Sequence, residues 1–188
     1  TWHWQVCAQR WHMYPYFRMM KELWINRNAP RLQILEPHIS THRIWPWDLD
    51  PWRELNNGRT LTLFDLGRIP MSLRMGFREV AKANGWGITV AGNSTRYRRR
   101  VTLFTKLTQV SRVVGWEGRF AYVGQSFWRG DECTAHMLLR SAFISKAGIV
   151  PPSQVLTALG QNPESPPLPQ WITDWIAAAH ERPWPPHR

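Results

Sequence analysis

The sequence predicts an α+β domain in which an antiparallel sheet wraps one long helix. Three observations carry this expectation. A β-branched and aromatic run, Thr41 to Trp47, has Pro46 near its end, as a strand that stops at a turn would; a proline-free helical pattern follows from Leu55 to Arg68; and four extended segments lie between Ile88 and Ser145. Strands and helices do not alternate, which argues against a parallel α/β sheet.

Composition bounds the reading. The 188 residues suffice for one domain with a real core. A hydrophobic content of 43% with 13 Trp argues for a folded chain, and 15 Pro for a loop-rich periphery. The net charge of +11 favours a polyanionic partner: a phosphorylated cofactor, nucleic acid or an anionic membrane. Cys7 and Cys133 form no C-x-x-C pair, so a reducing, cytoplasmic setting is the simpler expectation. No apolar run approaches the ~20 residues of a spanning helix, and no secretory leader is expected.

Taken in order, residues 1–37 read as an N-terminal extension with an amphipathic helix, Phe17, Met20 and Trp24 on one face. That face packs on the domain or a dimer mate, or makes peripheral membrane contact over Tyr14 to Trp24. Residues 38–150 form the sheet-and-helix domain. His38 and His42 share a face as surface or partly buried histidines, and no further ligands complete a metal site. Asp50-Pro51 marks a loop, and a carboxylate ahead of the helix faces unpaired amides and the positive end of its dipole. Such a corner offers a base or nucleophile beside an oxyanion site. The plainer reading is that Asp48, Asp50 or Asn56 caps the helix.

The first helix is expected to stop before Pro70 and a second to run from Met71 to Asn84, ended by Gly85 and Gly87. Ile88 to Val101, Leu103 to Trp116, Arg119 to Trp128 and Cys133 to Ser145 then read as strands. On a strand, Arg96, Arg98 and Arg100 share one face, while Tyr97 and Arg99 take the other. One face suits phosphates; a solvated face is the alternative. A single sheet leaves apolar surface bare, so a homodimer or homotetramer is expected. Residues 151–188 form a Pro/Trp-rich helical appendage, with Trp171, Ile172, Trp175 and Ile176 at helical spacing.

Other chemistry is absent from the sequence. Gly124-Gln-Ser126-Phe-Trp128 lacks the final glycine of a nucleophile elbow. Cys133 and His136 point to opposite faces of a strand. No phosphate loop or dinucleotide fingerprint occurs. Tyr97 alone is thin support for base stacking, so nucleic acid is not expected as a partner.

Asp48 to Arg68 resembles the opening motif of the hot-dog fold acyl-CoA thioesterases, the 4-hydroxybenzoyl-CoA thioesterase family: D-x-D-x-x-G-H-x-N-N-x-x-Y-L-x-x-x-x-x-A-R. Asp48, Asp50, Asn56, Asn57, Leu61 and Arg68 fall on their places. Arg53 replaces the glycine, Glu54 the histidine, Thr60 the tyrosine and Gly67 the alanine. With Gly-Trp-Gly-Ile-Thr-Val-Ala-Gly from Gly85 and Arg-Tyr-Arg-Arg-Arg from Arg96, the chain resembles more closely still the branch that includes thioesterase superfamily member six.

The resemblance implies a hot-dog fold, an acyl-CoA substrate, no cofactor beyond its coenzyme A, and a dimer. It implies that Asp50 is the catalytic aspartate, as base or nucleophile, with amides near Asn57 and Gly58 polarising the thioester. Asn56 or Asn57 would orient water or substrate, Asp65 stands where some relatives carry a helical carboxylate, and Glu54 leaves the acid/base partner open. One face of the cluster Arg96, Tyr97, Arg98, Arg99 and Arg100 would meet the coenzyme A phosphates. Leu55 in place of a histidine speaks against the hydratases of the same fold. The alternative is a non-catalytic hot-dog protein that binds acyl chains or a partner.

Overall fold

A computed structural model describes residues 14–186; the expectations on Cys7 and on the first twelve residues lie outside them. Helix α1 (Tyr16–Asn26) precedes β1 (His38–Arg43), and a 3-10 turn over Pro46–Asp48 leads to α2 (Asn57–Arg74) and α3 (Phe77–Asn84). The strands follow: β2 (Gly87–Tyr97), β3 (Lys106–Glu117), β4 (Phe120–Arg129), β5 (Glu132–Ser145) and the short β6 (Gly148–Val150). Helices α4 (Pro152–Ala158) and α5 (Gln170–Glu181) close the described chain.

The sheet is antiparallel throughout, in the order β1-β3-β4-β5-β2, with β6 folded back on β5. β2 lies at one edge although it is second in sequence, so the chain crosses the sheet's inner face through α2 before laying down β3 to β5. This is the α+β hot-dog architecture that the motif implies.

α2 belongs at the centre because its apolar positions form one stripe. Thr60, Leu63, Phe64, Gly67, Pro70 and Met71 recur at helical spacing and are buried. Phe64 stacks on Phe127 of β4, centroids 4.4 Å apart, and both are fully buried. Burying an aromatic of this size contributes about 1.5–3 kcal/mol.

The helix runs through Pro70 and ends at Arg74, against the expected stop. Proline forfeits one intrahelical bond, but burial of Leu66, Gly67 and Met71 on both sides outweighs that loss. The break comes at Gly76, whose φ of 85° favours glycine, and α3 begins just after it. β1 starts at His38 and stops at Arg43, because Pro46 is drawn into the 3-10 turn. His38 and His42 both face inward and are buried, not on the surface. Burial, with nearby Arg and Lys charges, pushes each imidazole down to about 4 and keeps it neutral at pH 7.

Beneath α2 lies a buried amide and hydroxyl cluster. The Gln109 and Gln125 side-chain amides both donate to the Phe64 carbonyl, at 2.9 and 2.8 Å, and to Ser111 Oγ, at 3.2 and 2.8 Å. A β-carbon at Gly67 would stand 2.5 Å from Gln109 Nε2 and 2.7 Å from Ser111 Oγ. Helix propensity alone favours Gly67→Ala by up to about 1 kcal/mol. The clash reverses the sign, with an expected loss of about 1–3 kcal/mol in urea unfolding, partly relieved in the Gly67→Ala, Gln109→Ala double variant, where the Ser111 Oγ contact remains. Added stability in the single variant would contradict this packing.

The C-terminal segment covers part of the sheet's outer face. Ile172 of α5 is fully buried against Tyr122 and Leu138, with Val114, Phe120, Leu168 and Trp175 around them. Gly115 admits this crossing: a β-carbon there would stand 2.8 Å from Leu168 and 2.9 Å from Ser165 Oγ.

Candidate active site

Asp48, Asp50 and Asp65 of the motif have three different settings. Asp48 is fully buried and accepts from Arg18 Nη2 at 2.6 Å and the Trp45 amide at 2.9 Å, and it pairs with Arg59 Nε at 3.0 Å. It ties α1 and the first turn of α2 to the end of β1. Two guanidiniums hold this one buried carboxylate, so its role is structural.

Asp50 is half-buried, and its Oδ1 accepts the amides of Trp52 and Glu54 at 2.9 and 3.2 Å. It therefore closes its own turn, in which the Asp50 amide returns to the Glu54 carbonyl at 2.8 Å. The expected direct seat on the helix amides is corrected: Asn56 caps α2, its Oδ1 accepting from the Arg59 amide at 3.1 Å. Asn56 is thereby committed to the backbone, since a short amide one residue before the helix reaches those donors best.

Asp50 nonetheless lines a polar cavity of about 340 Å³ at the start of α2, shared with Glu54, Asn57, Thr60, Tyr97, Arg99 and Arg100. The first bond into the helix backbone is from Thr60 N to Asn56 O at 2.8 Å. The amides of Asn57 and Gly58 precede it and remain open to an acceptor.

The basic cluster divides differently from the expected alternation. β2 ends at Tyr97, so Arg98, Arg99 and Arg100 follow a loop in which the strand period no longer applies. Tyr97, Arg99 and Arg100 all line the cavity, and the Tyr97 hydroxyl donates to the Asn57 carbonyl at 3.3 Å. Arg100 donates to Glu54 Oε2 at 3.0 Å and the Trp52 carbonyl at 3.3 Å; Arg99 is held by Glu132 at 2.6 Å. Each guanidinium keeps further N–H donors for an anion. Arg98 is exposed and does not line the cavity; Arg96 lies on the outer face, opposite His136 of β5.

Asp65 borders a second, mostly apolar cavity of about 240 Å³ between α2 and the sheet, walled by Val113, Val123, Leu139 and Phe143 and open to Ile88 and Val90 of β2. Burial raises its carboxyl above the usual range, against the pull of Arg68 and of the Tyr14 hydroxyl, which donates at 3.2 Å. Arg68 bridges Asp65 to Gln125 Oε1, the latter at 2.8 Å. Phe127, Gln125 and Val123 follow one another on the inner face of β4, so the Phe64–Phe127 stack and this cluster stand between the two cavities.

The ion pairs of Asp48 and the Gln125–Arg68–Asp65 chain escaped sequence reasoning. Inward-facing Gln109 and Gln125, breaking two strands' apolar alternation, were the available signal. Among the described residues, no three His, Cys, Asp or Glu gather as a metal site.

An antiparallel sheet half-wrapped around one central helix defines the hot-dog class, and the comparisons agree with that fold. The pattern of the thioesterase-like superfamily matches residues 44–176, and the chain belongs to that superfamily. It is 28% identical over 145 residues to protein THEM6 of Xenopus laevis, covering 76% of this chain and 69% of that protein. Against THEM6 of Danio rerio it is 27% identical over 99 residues and spans 49% of that protein. The fold is shared with the probable thioesterase YbaW of Escherichia coli, at a TM-score of 0.61 and 18% identity, over 65% of this chain and 96% of that one. It is also shared with a Staphylococcus aureus hypothetical protein in complex with CoA, at 0.54 and 11%, over 80% and 88%.

Proposed function

We propose that this chain hydrolyses acyl-CoA thioesters at the corner where α2 begins. One observation carries the reading: Asp50, Asn57 at the open N-terminus of α2, Arg99 and Arg100 border a single polar cavity, and the open amide of Gly58 is next in the chain. Two amides hold Asp50 Oδ1 and leave Oδ2 for chemistry. As general base, Asp50 takes a proton from water whose oxygen attacks the thioester carbon; the C–S bond breaks and coenzyme A leaves as its thiol. As nucleophile, Oδ2 attacks first and water then hydrolyses the mixed anhydride. The developing oxyanion is met by the Asn57 and Gly58 amides. Tyr97, Arg99 and Arg100 suit the phosphates of coenzyme A, as does the +11 net charge. The reaction needs water and the thioester, without a further cofactor.

A second copy completes this reading. β2 is an unpaired sheet edge on which Ile88 and Val90 are about half exposed, and both border the apolar cavity, so a homodimer built on that edge would close it. A cytoplasmic setting fits the unpaired Cys133.

The decisive test is thiol release across an acyl-CoA chain-length panel, on wild type and Asp50→Asn. The non-catalytic alternative is favoured by Asp65, whose raised carboxyl and Arg68 partner look inward on an acyl-sized apolar space. It expects ligand-dependent stabilisation with no thiol released.

Membrane contact is a separate part of the proposal. No helix among the described residues is long and apolar enough to cross a bilayer. On α1, Phe17, Met20, Trp24 and Ile25 are 87%, 65%, 65% and 53% exposed and lie on one face, with Lys21 beside them. The expected result is co-sedimentation with vesicles containing phosphatidylserine, weakened by salt and lost in Phe17→Ser, Trp24→Ser. Equal recovery of the variant and wild type on vesicles would remove the contact.

A further inference from the structure

The outer face of the sheet holds a cavity of about 460 Å³ that the proposed reaction does not use. Its floor is sheet and its walls come from both ends of the chain: Trp128 and Leu138 below, Pro37 on one side, Pro169 and Trp171 of the C-terminal segment on the other. Such a volume is within the range of small-molecule sites.

Its polar groups converge. Arg96 of β2, His136 of β5 and Ser126 of β4 are direct cross-strand partners in one row, so their side chains emerge on the same face. Arg112 of β3 lies opposite Gly124, whose missing side chain opens the floor: a β-carbon there would come within 3.2 Å of Val114 and 3.9 Å of His136 Nε2. Trp171 meets the His136 ring edge-on, with centroids 5.9 Å apart.

No counter-charge answers this cluster. Arg96 and Arg112 form no ion pair or hydrogen bond among the described residues, and the imidazole of His136 has no hydrogen-bond partner among them. Burial and these two cations hold His136 below its ordinary pKa, so it stays neutral and can donate one N–H without adding charge. By contrast, Arg99, Arg100 and Arg129 on the other side are each matched to a glutamate.

We infer that this outer-face cavity is a second ligand site for a small amphipathic carboxylate. Arg112 and His136, which line the cavity, take the head, with Arg96 at its rim beside His136, and the apolar body lies between Trp128 and Trp171. The mostly apolar wall argues for a single charged head on a ring or short chain, not for a free inorganic anion. The site stands whether or not Asp50 turns over a thioester, because it shares no residue with that cavity.

Calorimetric titration with 2-naphthoate tests it, using 2-naphthamide and inorganic phosphate as controls. Naphthoate is expected to bind the full chain, the neutral amide roughly tenfold or more weakly, and phosphate not to compete. Arg96→Gln, Arg112→Gln removes exposed, unpaired charges, so its circular dichroism should match wild type while naphthoate affinity falls by about tenfold or more. Gly124→Val, which fills the floor, should abolish binding. Wild-type affinity in either variant would overturn the site. So would loss of naphthoate binding in Asp65→Asn with these variants unaffected, which would place the ligand between α2 and the sheet. Absence of any naphthoate heat would overturn it too, as for a face covered by a second copy.

Discussion

Asp50→Asn is expected to lower kcat/KM for acyl-CoA hydrolysis by about 10²- to 10⁴-fold, the range over which a positioned base or its equivalent contributes. The amide keeps the Oδ1 acceptor that closes the turn with Trp52 and Glu54. Stability should therefore change by no more than about 0.5 kcal/mol, as for a surface substitution that leaves its contacts in place. Asp65→Asn belongs beside it. If Asp65→Asn stops turnover and Asp50→Asn does not, the helical carboxylate is the reacting group and the corner of α2 only binds.

Asp48→Ala is expected to do the reverse and destabilise the protein without being part of its chemistry. The substitution removes the one fully buried carboxylate that Arg18 and Arg59 share and frees the Trp45 amide. Removing one partner of a buried ion cluster costs about 3–5 kcal/mol. For a chain of this size that corresponds to a fall of roughly 10 °C in Tm, readable by circular dichroism. A variant that melts with wild type would show that the two arginines find water or other partners at little cost. Asp48 and Asp50 are two residues apart in one motif, so the pair separates stability from chemistry within the same turn.

Much of the architecture was legible because it rests on local periodicity. The stripe through Leu63, Phe64 and Met71 marks a buried helix, and the alternation in β3 to β5 marks strands with one inner face. The motif from Asp48 to Arg68 carried the family. The C-terminal helix was readable from Trp171, Ile172, Trp175 and Ile176, and the structure docks it through fully buried Ile172. The mistakes came where a local rule met a tertiary one. Pro70 reads as a helix stop, yet it continues α2 because the flanking residues are packed under the sheet.

Within the site, the residue types were readable but their partners were not. The sequence by itself determined that a carboxylate, a helix start and a basic cluster lie in this chain, since each is written in a few adjacent residues. Only the tertiary structure decided that Asp48 is spent on two arginines and that Asn56, not Asp50, caps α2. It also turned Arg99 and Arg100 to the cavity while leaving Arg96 on the far face. The reason is physical. Glu54 meets Arg100, and Asp48 meets Arg18, across tens of residues, and such pairings are set by strand register and crossover, which no short window of sequence contains.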